Sequence, residues 1–352
     1  MANMMKAAVF EKVGVIKVKE VPVPEIGDNE VLIKIKYTGI CGTDWSIYNG
    51  RYSADKLPMI PGHEFSGVIA KLGKNAKGLK EGDRVTADIN MGCGTCFYCI
   101  RSEKLLCDSF TQLGIHTNGT FAEYVKAPAA QVHILPEKLS FEEGAFIEPV
   151  SCVIHAAKAM DARIGSSVVV IGCGLGVLHA RMAVLRACAP VIIFGDNRKR
   201  LQIAKDMGAD YAIHIDDVAD PVAEVMKLTG GRGADYAIEA VGSVKTYEQA
   251  FAMLRRGGKL SSFGIGGEHD EMKIRPFEFV LGEKKITGSC AGVGADWPDA
   301  MTLISNGRID PKPLFSMKVP LEDLDWALHE LRTDQSLFKI FVSPDITKRE
   351  LI

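Results

Sequence analysis

The chain has no long run of one charge and no long apolar run. Lys and Arg total 42 against 44 Asp and Glu, a net charge of −2 over 352 residues. Without a basic excess, the electrostatic footprint of a nucleic-acid-binding protein is missing. The polybasic segment that would hold a protein on an anionic membrane is missing too. No stretch reaches the roughly 18 uninterrupted apolar residues of a spanning helix. The opening MANMMKAAVFEKVGVIKVKE is interrupted early by charge and lacks the apolar region and cleavage pattern of a secretory signal. A cytoplasmic protein is expected, one that handles a small molecule and binds neither nucleic acid nor membrane.

What is present describes an ordinary globular protein. Hydrophobic residues make up 47% and charged residues 24%, which excludes disorder as the main state. At about 150 residues per domain, the length predicts two domains. Up to about residue 150 the chain reads as β-rich: EVLIKIKYTGI alternates apolar and polar side chains, and glycine or proline turns bound HEFSGVIAKLG and GDRVTADIN. From about residue 155 strands and helices alternate. SSVVVIG (166–172), VIIFG (191–195), ADYAIEAVG (234–242), GKLSSFGIG (258–266) and KKITGSC (284–290) read as strands, with helices between, including RKRLQIAKDMGA (198–209). That order predicts a parallel, doubly wound sheet. The expected division is 1–154, 155–290, and a tail over 291–352 that returns to the first domain.

Four of the nine cysteines crowd into fifteen residues, as Cys93-x2-Cys96-x2-Cys99-x7-Cys107. Without an export signal, this cluster points to metal rather than disulfides. Four thiolates complete a tetrahedron around zinc and leave no open position, so the site would be structural. A second group is open: Cys41 lies in GICGTD (39–44), and His63 and Glu64 follow in PGHEFSG (61–67). One thiolate, one imidazole and one or two carboxylates can hold zinc with a position left for substrate.

Together with GDRV (82–85), GTFAEY (119–124), IEPVSCVIHA (147–156), VVVIGCG (168–174) and EAVGS (239–243), these motifs resemble the zinc-dependent medium-chain dehydrogenases. The likeness is to their polyol (sorbitol-type) and threonine dehydrogenase branch and covers essentially the whole chain. It implies an α/β protein with a GroES-like β-rich catalytic domain and a Rossmann domain. By that resemblance Cys41, His63 and Glu148 are the catalytic zinc ligands, Glu64 is a transient ligand, and Asp44 orients the imidazole of His63. Thr43 would take the substrate hydroxyl proton. Relatives often carry a relay His at the position of Ser46, so Ser46, water and the cofactor ribose would pass the proton on. Two zinc ions per subunit and a homo-oligomer, dimer or tetramer, are further implications. Trp45 and Tyr48 are candidates either for the substrate pocket or for packing.

The loop Gly172-Cys173-Gly174-Leu175-Gly176-Val177 follows a strand and opens a helix, as a dinucleotide fingerprint should. Its third glycine comes one residue early, so it reads as a variant. Counting forward from Gly172 places Asp196 against the adenosine ribose. Aligning the next helix puts Gly195 in that slot with Arg198 nearby, a pattern of NADP enzymes. The balance leans to NAD over NADP. Lys339 in LFKIFV matches a basic residue that approaches the cofactor pyrophosphate in relatives. The expected reaction is hydride transfer from a secondary alcohol of polyol, cyclitol or sugar-acid type to NAD(P). The alternatives are an L-threonine 3-dehydrogenase and, from another class, a catalytically silent zinc-stabilised nucleotide-binding protein.

Overall fold

A computed structural model of the protein describes residues 3–352. The chain divides into two compact units, Met1–Ser151 with Ala291–Ile352, and Cys152–Cys290.

In the first unit the alternating stretch forms the strand Glu30–Gly39, whose burial alternates along its length. It pairs antiparallel with Glu64–Leu72 on one side and with Tyr124–Pro128 and Lys339–Ser343 on the other. Lys339–Ser343 is buried throughout and runs parallel to Phe315–Pro320. The C-terminal tail thus supplies strands to a sheet begun near residue 30. Phe65, Phe121, Phe146 and Phe341 are fully buried in this unit, each contributing about 1.5–3 kcal/mol of burial.

The second unit is one six-stranded sheet with every pairing parallel. Its spatial order is Tyr211–His214, Val191–Gly195, Val168–Ile171, Ala234–Glu239, Leu254–Ser262 and Lys285–Gly288. In chain order this is 3-2-1-4-5-6, the doubly wound arrangement with its switch point beside the first strand. Val168–Ile171 and Val191–Gly195 are buried along their whole length, as strands covered on both faces must be. Three elements go beyond the sequence expectation. The strand Tyr211–His214 is an edge strand, half exposed, and so has no buried run to betray it. The helices Pro221–Leu228 and Pro276–Leu281 both start on a proline.

Among the described residues, no helix is long and apolar enough to cross a membrane.

Candidate active site and metal centres

Cys41 is the N-cap of the helix Gly42–Tyr48, with φ −107° and ψ 157°. Its N–H donates to Oδ2 of Asp44 at 2.8 Å, which settles a donor that a helix start otherwise leaves open. The other oxygen of Asp44, Oδ1, lies 3.5 Å from Nδ1 of His63. Both atoms are buried without a hydrogen bond of ordinary length. One carboxylate therefore caps the helix that carries Cys41 and faces the imidazole of His63. With Nδ1 turned to Asp44, Nε2 is the ring nitrogen left for a metal.

The ligand atoms of Cys41, His63 and Glu64 lie within 4.8 Å of one another. Thiolate, imidazole and carboxylate form a donor set that zinc accepts while keeping a fourth position. The surroundings are electrically lopsided. Burial alone would pull the pKa of His63 down, yet the charges of Cys41 and Asp44 raise it well above its ordinary value. A pocket this anionic suits a cation.

Lys339 supplies one positive charge. It is 5% exposed, and its Nζ lies 2.5 Å from Oε2 of Glu64 and 2.9 Å from the carbonyl of Ile40. Burial opposes its charge, but Glu64, then Cys41 and Glu148, raise its pKa. The lysine expected against a cofactor phosphate thus sits on a metal-site carboxylate. A Cβ on Gly39 would fall 2.5 Å from Oε2 of Glu64, so the glycine is what lets that carboxylate turn inward. Glu64 stands with Cys41 and His63, while Glu148 lies outside that group and near enough for its charge to act on Lys339.

Thr43 is half-buried on the first turn of the helix. Ser46 uses its hydroxyl locally, donating to the carbonyl of Gly42 at 3.2 Å. Trp45 and Tyr48 pack against His329 with ring centroids 5.2 and 5.4 Å away. The Tyr48 hydroxyl lies 3.2 Å from Nε2 of His329. The structure gives both residues a packing role.

The sulfurs of Cys93, Cys96, Cys99 and Cys107 form a second group within 4.8 Å. None of the nine cysteines forms a disulfide. The amides of Cys93 and Cys96 donate to the sulfurs of Cys107 and Cys93, each at 3.3 Å. With the backbone and hydroxyl of Thr95 as the leading causes, the Cys93 thiol is lowered to about 6, while Cys99 is raised to about 11. One sulfur already favours the thiolate that zinc needs, and burial on Cys107 closes the group on one side.

In the second unit, Gly172 has φ +107°, and the chain turns there into the helix Gly176–Leu185. Leu175 is the N-cap. A Cβ on Gly174 would meet nothing within 4 Å, so that backbone is open to close approach. A Cβ on Gly176 would come within 3.1 Å of Val170 Cγ1. Gly176 thereby permits the close helix–strand packing that the third glycine of the fingerprint normally allows, although Val177 occupies the usual place. Open backbone at a helix N-terminus fits a pyrophosphate. At the end of the second strand Asp196 is exposed. Arg198 is already forked onto Asp217, with both N–O distances 2.8 Å.

Comparison with known proteins agrees with this chemistry. The profile of the alcohol dehydrogenase GroES-like domain matches residues 27–137, and that of the zinc-binding dehydrogenase domain matches 174–306. A sorbitol dehydrogenase of Halalkalibacterium halodurans is 34% identical, covering 97% of this chain and 99% of its own. An L-threonine 3-dehydrogenase of Bacillus velezensis is 32% identical, covering 95% and 98%. Among solved structures, one from Sinorhizobium meliloti, described as a zinc-binding dehydrogenase bound to NADP, superposes with a TM-score of 0.90. It is 29% identical and covers 97% of this chain and 100% of its own.

Proposed function

Because the chain belongs to the zinc-dependent medium-chain dehydrogenases, in their polyol and threonine dehydrogenase branch, we propose that it oxidises a secondary alcohol on a polyol, cyclitol or sugar acid. Hydride passes to a nicotinamide dinucleotide, with NAD the favoured form. The observation that carries this reading is the group Cys41, His63 and Glu64, its ligand atoms within 4.8 Å. Those three, with Glu148 beside them, would hold a catalytic zinc, and the four-cysteine loop would hold a structural one. Bound at Cys41 and His63, zinc would lower the pKa of a substrate hydroxyl toward neutrality.

The chain's own residues do the remaining work. Thr43 takes the hydroxyl proton from its place on the first helical turn. Asp44 fixes the tautomer and tilt of His63. Lys339 keeps Glu64 inside the pocket. Ser46 is bonded to its own helix, so water and the ribose of a bound cofactor would carry the proton on from Thr43. Arg198, committed to Asp217, is less available to a 2′-phosphate, which supports NAD. A cytoplasmic setting fits this chemistry.

A second copy of the chain is part of the reading. The outermost strand Lys285–Gly288 and the helix before it expose Phe277, Val280, Leu281 and Ile286. An open sheet edge beside an apolar face suits association.

The test crosses NAD and NADP against polyols, cyclitols, sugar acids and L-threonine, using zinc-loaded protein. Turnover is expected on one polyhydroxylated class with NAD. Turnover on L-threonine alone would favour the threonine dehydrogenase reading. Nucleotide binding without turnover on any substrate would replace both with a binding protein.

A further inference from the structure

Around the end of the strand Val191–Gly195, three observations belong together. Cys173, inside the glycine loop, is 2% exposed. Its thiol donates to Oδ1 of Asp196 at 3.4 Å, and the backbone amides of Asn197 and Asp196 face the same sulfur. A Cβ on Gly195 would fall 2.5 Å from both Cβ and Sγ of Cys173. Position 195 is therefore kept free of a side chain by the Cβ and the sulfur of the residue at 173.

The neighbours of Asp196 are committed elsewhere. Asn197 accepts from the amide of Arg200 at 3.0 Å and caps the next helix. Arg198 is forked onto Asp217. Asp196 is exposed at the surface and held through Cys173. Burial, and then the Asp196 charge, raise the thiol above its ordinary pKa, so it stays protonated and remains a donor.

We propose that Cys173 is a positioning residue for cofactor discrimination: it fills the space above Gly195, which moves the acidic position to 196, and its thiol steers the Asp196 carboxylate toward the adenosine ribose. The inference rests on the dinucleotide-dependent reading above. A carboxylate there accepts from the 2′-hydroxyl of NAD and repels the 2′-phosphate of NADP. The ambiguity between positions 195 and 196 then has a steric cause, because the loop cysteine and an acid at 195 exclude each other.

The test titrates the full-length protein with NADH and NADPH and follows nicotinamide fluorescence, with no substrate present. Wild type should bind NADH more tightly. Asp196→Asn, at an exposed position, should abolish the preference. Cys173→Ala should lower the ratio of the two dissociation constants by about three- to tenfold, the effect of one hydrogen bond. Cys173→Ser keeps a donor and should restore most of the ratio. In the Asp196→Asn background Cys173→Ala should change nothing further, since the two act as one unit. Gly195→Asp alone should lose nucleotide binding and regain NADH binding when combined with Cys173→Gly, which removes both clashing atoms.

Tighter NADPH binding by wild type would overturn the inference, as would a ratio that Cys173→Ala or Asp196→Asn leaves unchanged. In each of those cases nucleotide still binds and the dehydrogenase reading stands. Wild type that binds neither nucleotide would overturn that reading and the inference with it.

Discussion

Lys339 and Glu64 form a buried ion pair, with 6% and 2% of their side chains exposed. Removing one member of such a pair strands the other charge in a medium that solvates it poorly, at a cost of about 3–5 kcal/mol. Lys339→Met should therefore lower the urea midpoint of the metal-stripped protein, and an unchanged midpoint would contradict the pairing. The pair also marks how far the metal site could be read from the sequence. Cys41, His63 and Glu64 were legible from two short motifs that together offer an open donor set, and Asp44 through family resemblance. The ion pair joins residues 275 positions apart, and no local pattern connects them. Lys339 was singled out, but for a cofactor phosphate. The inward turn of Glu64 rests on that long-range contact and on the bare Gly39.

Between elements of the parallel sheet, Asp235 acts as a clamp. Its Oδ2 accepts from the N–H and the hydroxyl of Ser167 at 2.8 and 2.7 Å, and its Oδ1 accepts from Nε of Arg255 at 2.5 Å. Burial opposes the charge, but these donors lower its pKa below 3.8. A depressed folded pKa contributes stability that is present above the unfolded value and lost as pH falls through the folded one. Stability should therefore decline below about pH 4, through this group among others. Asp235→Asn should be destabilised at pH 6 by about 1–3 kcal/mol and should show a flatter decline between pH 4 and 2. Urea melts across that range check it, and a slope equal to that of wild type would remove Asp235 from the account.

The cysteine loop makes a separate demand. Cys93→Ser or Cys107→Ser should lose one zinc per chain and several degrees of melting temperature while the remaining folded molecules keep their turnover. A variant of normal stability with no loop zinc would contradict a structural role.

Legibility at this scale followed burial. Val168–Ile171 and Val191–Gly195 are continuous apolar runs because helices cover both faces, and they read directly as strands. Tyr211–His214 has one exposed and three half-buried residues, so periodicity had little to work with. The helix Pro221–Leu228 did carry a signal, an Asp220 side chain that caps it and a proline in its first turn.

For the whole molecule, the alternation of strands and helices and the mixed texture of the two halves were enough to anticipate a β-rich unit and a parallel sheet. The return of the tail is visible as the pairing of Phe341 with Gly39 and Val342 with Thr38. A homo-oligomer was expected only through family resemblance, because an exposed sheet edge has no sequence signature of its own. Light scattering on the purified protein should give at least a dimer, and Val280→Asp with Ile286→Lys should shift it toward monomer. A wild-type monomer at micromolar concentration would contradict association through this edge.

The central claim is that Cys41 and His63 hold a zinc on which hydride transfer depends. It is tested most directly by measuring zinc content and nicotinamide reduction on the same samples of wild type and Cys41→Ala. Wild type should carry two zinc ions per chain and turn over. Cys41→Ala should keep the loop zinc, bind NADH as before and show no turnover. Turnover at the wild-type rate in Cys41→Ala would contradict the account.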